Sequence, residues 1–322
     1  MKWALNRHTM SENKQVELKK EAGVFERLPL LKIHLFMLIS AILVSTSFIV
    51  GAAITEALDP ALLTLIRFII ATVIFGPIVH HRYGLHFSFS LLWRCALISG
   101  CMVSFFCAMF LSLRYTSALN TSVIFALVPS ISCFYAFFLL KERLMREQLI
   151  ALFCGLSGVL WVVFGGDIVR LLTMQWNYGD LIFLGGCFFM GLYAPLVKIL
   201  HRGESMAVMT FWVLVTGAIW LFLYTGKDIL VVSWGEVPLF VWAGISYLAV
   251  FTTIITFFLT QYSVLFLGPT KVTAYSYLYP GLVLVLNFFI GNGLPEGKII
   301  PGVLVIVVAM FVLMNAKENG KA

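Results

Sequence analysis

The sequence predicts an all-α polytopic membrane protein: ten transmembrane helices in two inverted five-helix repeats. Three observations predict it. Apolar runs of about 20 residues recur from Leu35 to Met314, and each is long enough to cross the hydrocarbon core of a bilayer. Hydrophobic residues make up 61% of the 322-residue chain and charged residues 11%, a balance outside that of soluble domains. The two halves also present the same features in the same order. Five helices per half is an odd number, so the second copy enters the membrane from the opposite side.

The apolar runs place helices over 35–53, 61–79, 91–112, 118–139, 148–166, 180–199, 206–225, 237–260, 270–291 and 299–314. The first holds Ser45, Thr46 and Ser47 near its middle. The second holds Arg67 within TLIRFIIA, placed either to pair outward with Glu56 or Asp59 or to face a pathway. The third ends in Arg114 and Tyr115. The fourth starts with Asn120, Thr121 and Ser122 and contains Pro129, Ser130 and Ser132. Proline lacks an N–H and frees a carbonyl in the preceding turn, so Pro129, Pro195 beside Tyr193, and Pro280 are expected to break their helices and open space between them. The eighth helix carries Tyr247, Thr252, Thr253, Thr256 and Gln261. The ninth begins after Gly268–Pro269 with Lys271 and brings Tyr275, Tyr277 and Tyr279 up to Pro280. Tyrosines beside prolines suit substrate contact, since a phenol both stacks and hydrogen-bonds.

Segments 1–32 and 317–322 are expected to be cytoplasmic tails around repeats over 33–166 and 167–316. The N-terminal tail lacks the basic stretch and cleavage site of a signal peptide, so the first helix is expected to be retained. With both termini inside, only Arg67, Arg114, Arg170, Lys227 and Lys298 of the 22 basic residues fall on the outer side. The net charge of +7 then reflects topology and anionic lipid rather than nucleic acid. The six cysteines all lie in apolar runs and match no metal spacing.

The repeat is carried by Tyr115–Val163 and Tyr262–Leu313. Each has an aromatic helix end, a small or polar start, a mid-helix proline (Pro129, Pro280), a polar turn and a final helix. Polar residues at membrane depth mark substrate pathways. The candidates are Arg67, Ser45, Thr46, Tyr115, Asn120, Pro129, Ser130, Tyr193, Tyr247, Thr252, Thr256, Tyr275, Tyr279 and Pro280. No Asp or Glu lies in the middle of any run. Glu142 and Asp180 sit at helix ends. A dication or a cationic drug would therefore lack a counter-charge, whereas a carboxylate would meet no like charge. The chain has no Walker motif, no HExxH and no histidine at the depth of the serines, so neither ATP coupling within it nor an intramembrane enzyme is expected. No metal or cofactor is expected either.

The chain resembles the EamA-type carriers of the drug/metabolite transporter superfamily over residues 33–316. DPALLTLIRFIIA resembles their second-helix signature, which puts Arg67 at a recurring arginine. LRYTSALNTSVIFALVPSISCFYAFFLLKERL resembles their third-to-fourth segment, with Tyr115, Ala118, Pro129 and Glu142 on recurrent positions. YGDLIFLGGCFFMGLYAPLVK resembles the opening of the second repeat, with Gly179, Asp180 and Tyr193. The first helix departs from the pattern in lacking a Trp-Gly pair. Tyr279 stands where the family often has Glu before the central proline, and GNGL at Gly291–Leu294 replaces Gly-Glu. The resemblance implies a bacterial inner-membrane carrier of ten helices that exports small metabolites, amino acids among them. The expected substrate is an amino acid or related zwitterion. The alternatives are toxic organic compounds, or an organic anion such as a sugar phosphate. The partners are that small molecule and the bilayer, with proton coupling and a homodimer left open.

Overall fold

The computed structural model describes residues 30–85, 87–141, 146–169, 177–291 and 297–315. Both tails, Glu142, Arg170, Trp176 and residues 292–294 of the GNGL turn lie outside the described residues. Among the described residues every regular element is helical.

Eight helices are long and apolar enough to cross a membrane. They are α1 (Leu30–Ile54), α2 (Pro60–Tyr83), α3 (Phe89–Ser112), α4 (Ala118–Leu140), α6 (Tyr178–Leu200), α7 (Met206–Thr225), α8 (Leu239–Gly268) and α9 (Lys271–Phe289). Two more, α5 (Arg146–Val163) and α10 (Ile300–Asn315), are apolar but shorter. Phe134, Phe138, Phe153 and Leu223 are exposed on the outside of the bundle, where a lipid-facing surface needs them.

Local sequence explains the irregularities. Asp59 caps α2, accepting from the amides of Ala61 (2.9 Å) and Leu62 (3.3 Å), with Pro60 in the first turn. Asp59 is therefore occupied as a cap rather than as a partner of Arg67. In α4 the chain tightens at Ala126 and Leu127, whose amides reach back three residues, and Pro129 opens the next helical stretch. The same device recurs in α9, where a 3-10 turn over Tyr275–Leu278 precedes Tyr279 and Pro280. Pro195, by contrast, sits inside an unbroken α6. The carbonyl its ring would crowd belongs to Gly191, four residues back. In α8, Val250–Ile255 forms a π-helical turn. Gly268, at φ 76° and ψ 163°, ends α8 with a conformation open to glycine.

The helices pack in a regular scheme. α2 lies against α7, α4 against α9 and α5 against α10. α3 packs on α6 and α7, α8 packs on α1 and α2, and α6 and α1 pack on α4 and α9 respectively. The α5–α10 seam is closest at Gly158 and Gly302, where a Cβ on Gly158 would stand 2.8 Å from the Gly302 carbonyl oxygen. One end of the bundle, where α1 begins, is clasped by Arg94. Its guanidinium bonds the carbonyls of Ser90 and Leu200 and forms an ion pair with Glu204. At the opposite end Arg114 bonds the carbonyls of Thr55 (2.9 Å) and Leu58 (2.7 Å), fixing the α1–α2 turn.

Candidate functional site: a central cavity with a buried arginine

The middle of the bundle holds a cavity. Residues from α1, α2, α3, α4, α6, α8 and α9 line it, and α5, α7 and α10 do not. The walls are mainly apolar. Phe48, Phe105, Phe125 and Tyr279 form an aromatic cluster on one side, with Phe125 and Tyr279 ring centroids 5.2 Å apart and Phe105 and Phe125 5.3 Å apart. The polar residues of the lining include Arg67, Ser47, Thr252, Thr256, Thr260 and Ser276, with Tyr193 and Tyr279. Among the described residues no Asp or Glu lines the cavity.

Arg67 is fully buried. Its Nε donates to Thr253 Oγ1 (2.6 Å), and Nη2 donates to the Thr252 carbonyl (3.0 Å) and to Thr252 Oγ1 (2.9 Å). The π turn makes this possible. In an ordinary helix adjacent side chains diverge by about 100°, whereas here Thr252 and Thr253 both serve the same guanidinium. Their hydroxyls in turn both donate to the Leu248 carbonyl, at 3.0 and 2.8 Å. Phe106 lies under the guanidinium, with Cζ 4.2 Å from the ring centroid. A guanidinium has five N–H donors. The two on Nη1 have no partner. Among the described residues Arg67 has no carboxylate beside it, since the ion pair there is Arg94 with Glu204.

Below this centre, Gln261 joins three helices. Its Oε1 accepts from Thr210 Oγ1 of α7, and its Nε2 donates to Tyr193 Oη of α6 at 2.8 Å. Tyr193 is thereby held against the cavity wall.

Of the fourteen sequence candidates, Arg67, Tyr193, Thr252, Thr256 and Tyr279 meet in this cavity. The others do not line it. Ser45 donates to the Ala41 carbonyl (2.8 Å). Thr46 bonds Tyr247 (2.7 Å) across α1 and α8, and Tyr247 stacks on Phe251. Tyr275 bonds His34 Nδ1 (2.6 Å) where α1 and α9 begin. Asn120 lies 3.5 Å from the Asp180 carboxylate, which also accepts from Thr116 Oγ1 (2.6 Å), and Tyr115 is half exposed on the rim against Tyr178. Pro129 and Pro280 are buried and Ser130 lies near Tyr277, all behind the wall. The candidates omitted Ser47, Ser276 and the phenylalanines. Ser47 adjoins the candidate pair Ser45 and Thr46 and was the one of the three turned inward.

A bundle of membrane-length helices around a buried, charged cavity is the build of a multi-pass membrane carrier. The profile of the EamA-like transporter family matches residues 31–164 and 177–315. Named relatives agree in class. The uncharacterized transporter YyaM of Bacillus subtilis (strain 168) is 28% identical over 201 residues, 62% of this chain and 65% of that protein, so the match spans just under two thirds of its length. An uncharacterized transporter of Archaeoglobus fulgidus is 23% identical over 295 residues, 89% of this chain and 99% of that one. A solved crystal structure shares the fold with a TM-score of 0.64, at 20% identity and covering 87% of this chain and 96% of that one. The chain belongs to the EamA-like transporter family, within the drug/metabolite transporter superfamily.

Proposed function

We propose that this protein is a secondary transporter that exports a small carboxylate-bearing metabolite across a bacterial inner membrane by alternating access. An amino acid or related zwitterion is the class favoured by the family resemblance. The observation that carries the reading is Arg67: a fully buried guanidinium facing a cavity, two N–H groups unused, with no carboxylate beside it among the described residues. Unsatisfied charged donors at membrane depth are costly, and a substrate carboxylate offers two oxygens that satisfy them.

The proposed architecture has α5 and α10 crossing with the other eight, giving ten helices in inverted repeats over 33–166 and 167–316, with both tails cytoplasmic. The packing scheme supports it. If α1–α5 correspond to α6–α10, then α2–α7, α4–α9 and α5–α10 are self-paired, and α3–α6, α3–α7 and α4–α6 have counterparts in α8–α1, α8–α2 and α9–α1. Such a pseudo-twofold lets the same cavity open by equivalent movements to either side. The Lys/Arg bias supports the orientation.

The test is metabolite export. Cells lacking or overproducing the protein are profiled inside and outside, and any compound that shifts is assayed in vesicles with and without a pH gradient. Outward movement of a carboxylate-bearing compound, lost on Arg67→Ala, is the expected result. Normal transport by that variant would remove Arg67 from the pathway.

A further inference from the structure

We infer that the cavity recognises a carboxylate on an apolar, ring-sized or branched body, and that a substrate's ammonium group adds nothing to binding. A deaminated monocarboxylate would then be held as tightly as the matching amino acid. The inference rests on the reading of the Arg67 cavity as the substrate site.

The charges point this way. Arg67 is the charged group of the lining, and it is positive. A carboxylate arriving at Nη1 forms charge-assisted hydrogen bonds with donors that the protein leaves unused. An ammonium arriving in the same space brings a second positive charge where, among the described residues, no wall residue carries a negative one. The hydroxyls it would meet are neutral acceptors. Those of Ser47 and Thr256 have already given their protons to the carbonyls of Val44 (2.6 Å) and Thr252 (2.8 Å). Their spare lone pairs are weaker partners than a carboxylate.

Aromatic faces are the other place for an ammonium, and several of them already have partners. The Phe106 ring holds Arg67 itself at 4.2 Å. Phe48, Phe105 and Phe125 meet edge to face, with interplanar angles of 71° for Phe48–Phe125 and 72° for Phe105–Phe125. What these rings offer an incoming molecule is apolar area, extended by Met37, Met109 and Met190. Methionine side chains adapt to differing shapes. Ser276 Oγ is buried with no partner, a further group able to donate to a bound oxygen.

The experiment measures dissociation constants of the purified full-length protein for two series: phenylalanine, 3-phenylpropionate and phenethylamine; and leucine, 4-methylpentanoate and 3-methylbutylamine. In at least one series the acid is expected to bind within about threefold of the amino acid, and the amine at least about tenfold more weakly, as for loss of a charged hydrogen-bonding group. Arg67→Gln is expected to abolish the preference for acids. The series on the unaltered protein stands even if that variant does not fold. Amino acids that bind while their acids bind more than about tenfold worse would overturn the inference and leave the transporter reading intact. Binding of amines alone would overturn both. Binding of none of the six would overturn the inference, while export of a polar carboxylate would still uphold the proposed function.

Discussion

Gln261 sits where three helices meet, fully buried, with both ends of its amide committed to Thr210 and Tyr193. Gln261→Leu takes the partner from the buried Tyr193 hydroxyl, while Thr210 keeps its bond to the Met206 carbonyl (2.8 Å), so the melting temperature in detergent should fall by the equivalent of about 1–3 kcal/mol. Releasing Tyr193 from its anchor should weaken substrate binding as well, and Gln261→Glu should retain more of both than leucine does. Outside the membrane segments, Glu204 is the perturbed group. Partial burial pushes its carboxyl up, but the Arg94 guanidinium and backbone amides, that of Arg202 at 2.9 Å among them, outweigh this and hold it at about 2. A depressed carboxyl stabilises the fold above its ordinary value and loses that contribution as pH falls through the folded one. Melting curves should therefore show Arg94→Met costing roughly 1 kcal/mol at pH 7, with the difference from the parent shrinking from about pH 4.5 towards pH 2. At this scale the sequence was partly legible. Arg67 stands out because a lone cation in an apolar run has few explanations, whereas Ser47 could not be told from Ser45. Helices that are apolar all round give no contrast between the face towards lipid and the face towards the cavity. Hydroxyl direction then depends on helix rotation, which only packing decides.

Among elements, the α5–α10 pair shows most directly how sequence sets packing. Small residues let two backbones touch, and in a membrane close contact substitutes for the hydrophobic drive that lipid removes. Gly158→Val would put new carbon where the Gly302 carbonyl oxygen stands 2.8 Å from an ideal Cβ and Ile306 Cγ1 stands 2.9 Å away. The helices must part. Thermal stability should fall by about 1–3 kcal/mol, while affinity for substrate should be little changed, because α5 and α10 do not line the cavity. Equal loss of affinity would mean that this seam shapes the site. Prolines signalled the paired breaks in α4 and α9 because the missing N–H acts locally. The same reasoning overestimated Pro195, which lies within an unbroken α6. Nothing local announces the π turn of α8. It is an extra residue absorbed into a helix, and its role, turning Thr252 and Thr253 to one arginine, depends on α2 being opposite.

For the whole molecule, the hydropathy pattern conveys an all-helical membrane protein and family likeness conveys its class, but the cavity arises only when seven helices from both halves are assembled. The proposed alternating access makes a mechanical demand on that assembly: contacts that close one end of the cavity must part when that end opens. Ser40 of α1 and Thr260 of α8 meet with their hydroxyl oxygens 3.4 Å apart, and Thr260 lines the cavity. Cysteines at both positions, in a background with the six native cysteines replaced, should form a disulfide under mild oxidation. If α1 and α8 separate during the cycle, the cross-linked protein should bind substrate yet fail to move it. Flux should return on reduction, and Ser40→Cys alone should transport normally throughout. Undiminished transport through the cross-linked form would place the moving boundary elsewhere in the bundle. The α1–α9 contact at His34 and Tyr275 would then be the next to fix, because it spans the same end of the cavity from the other side of α1.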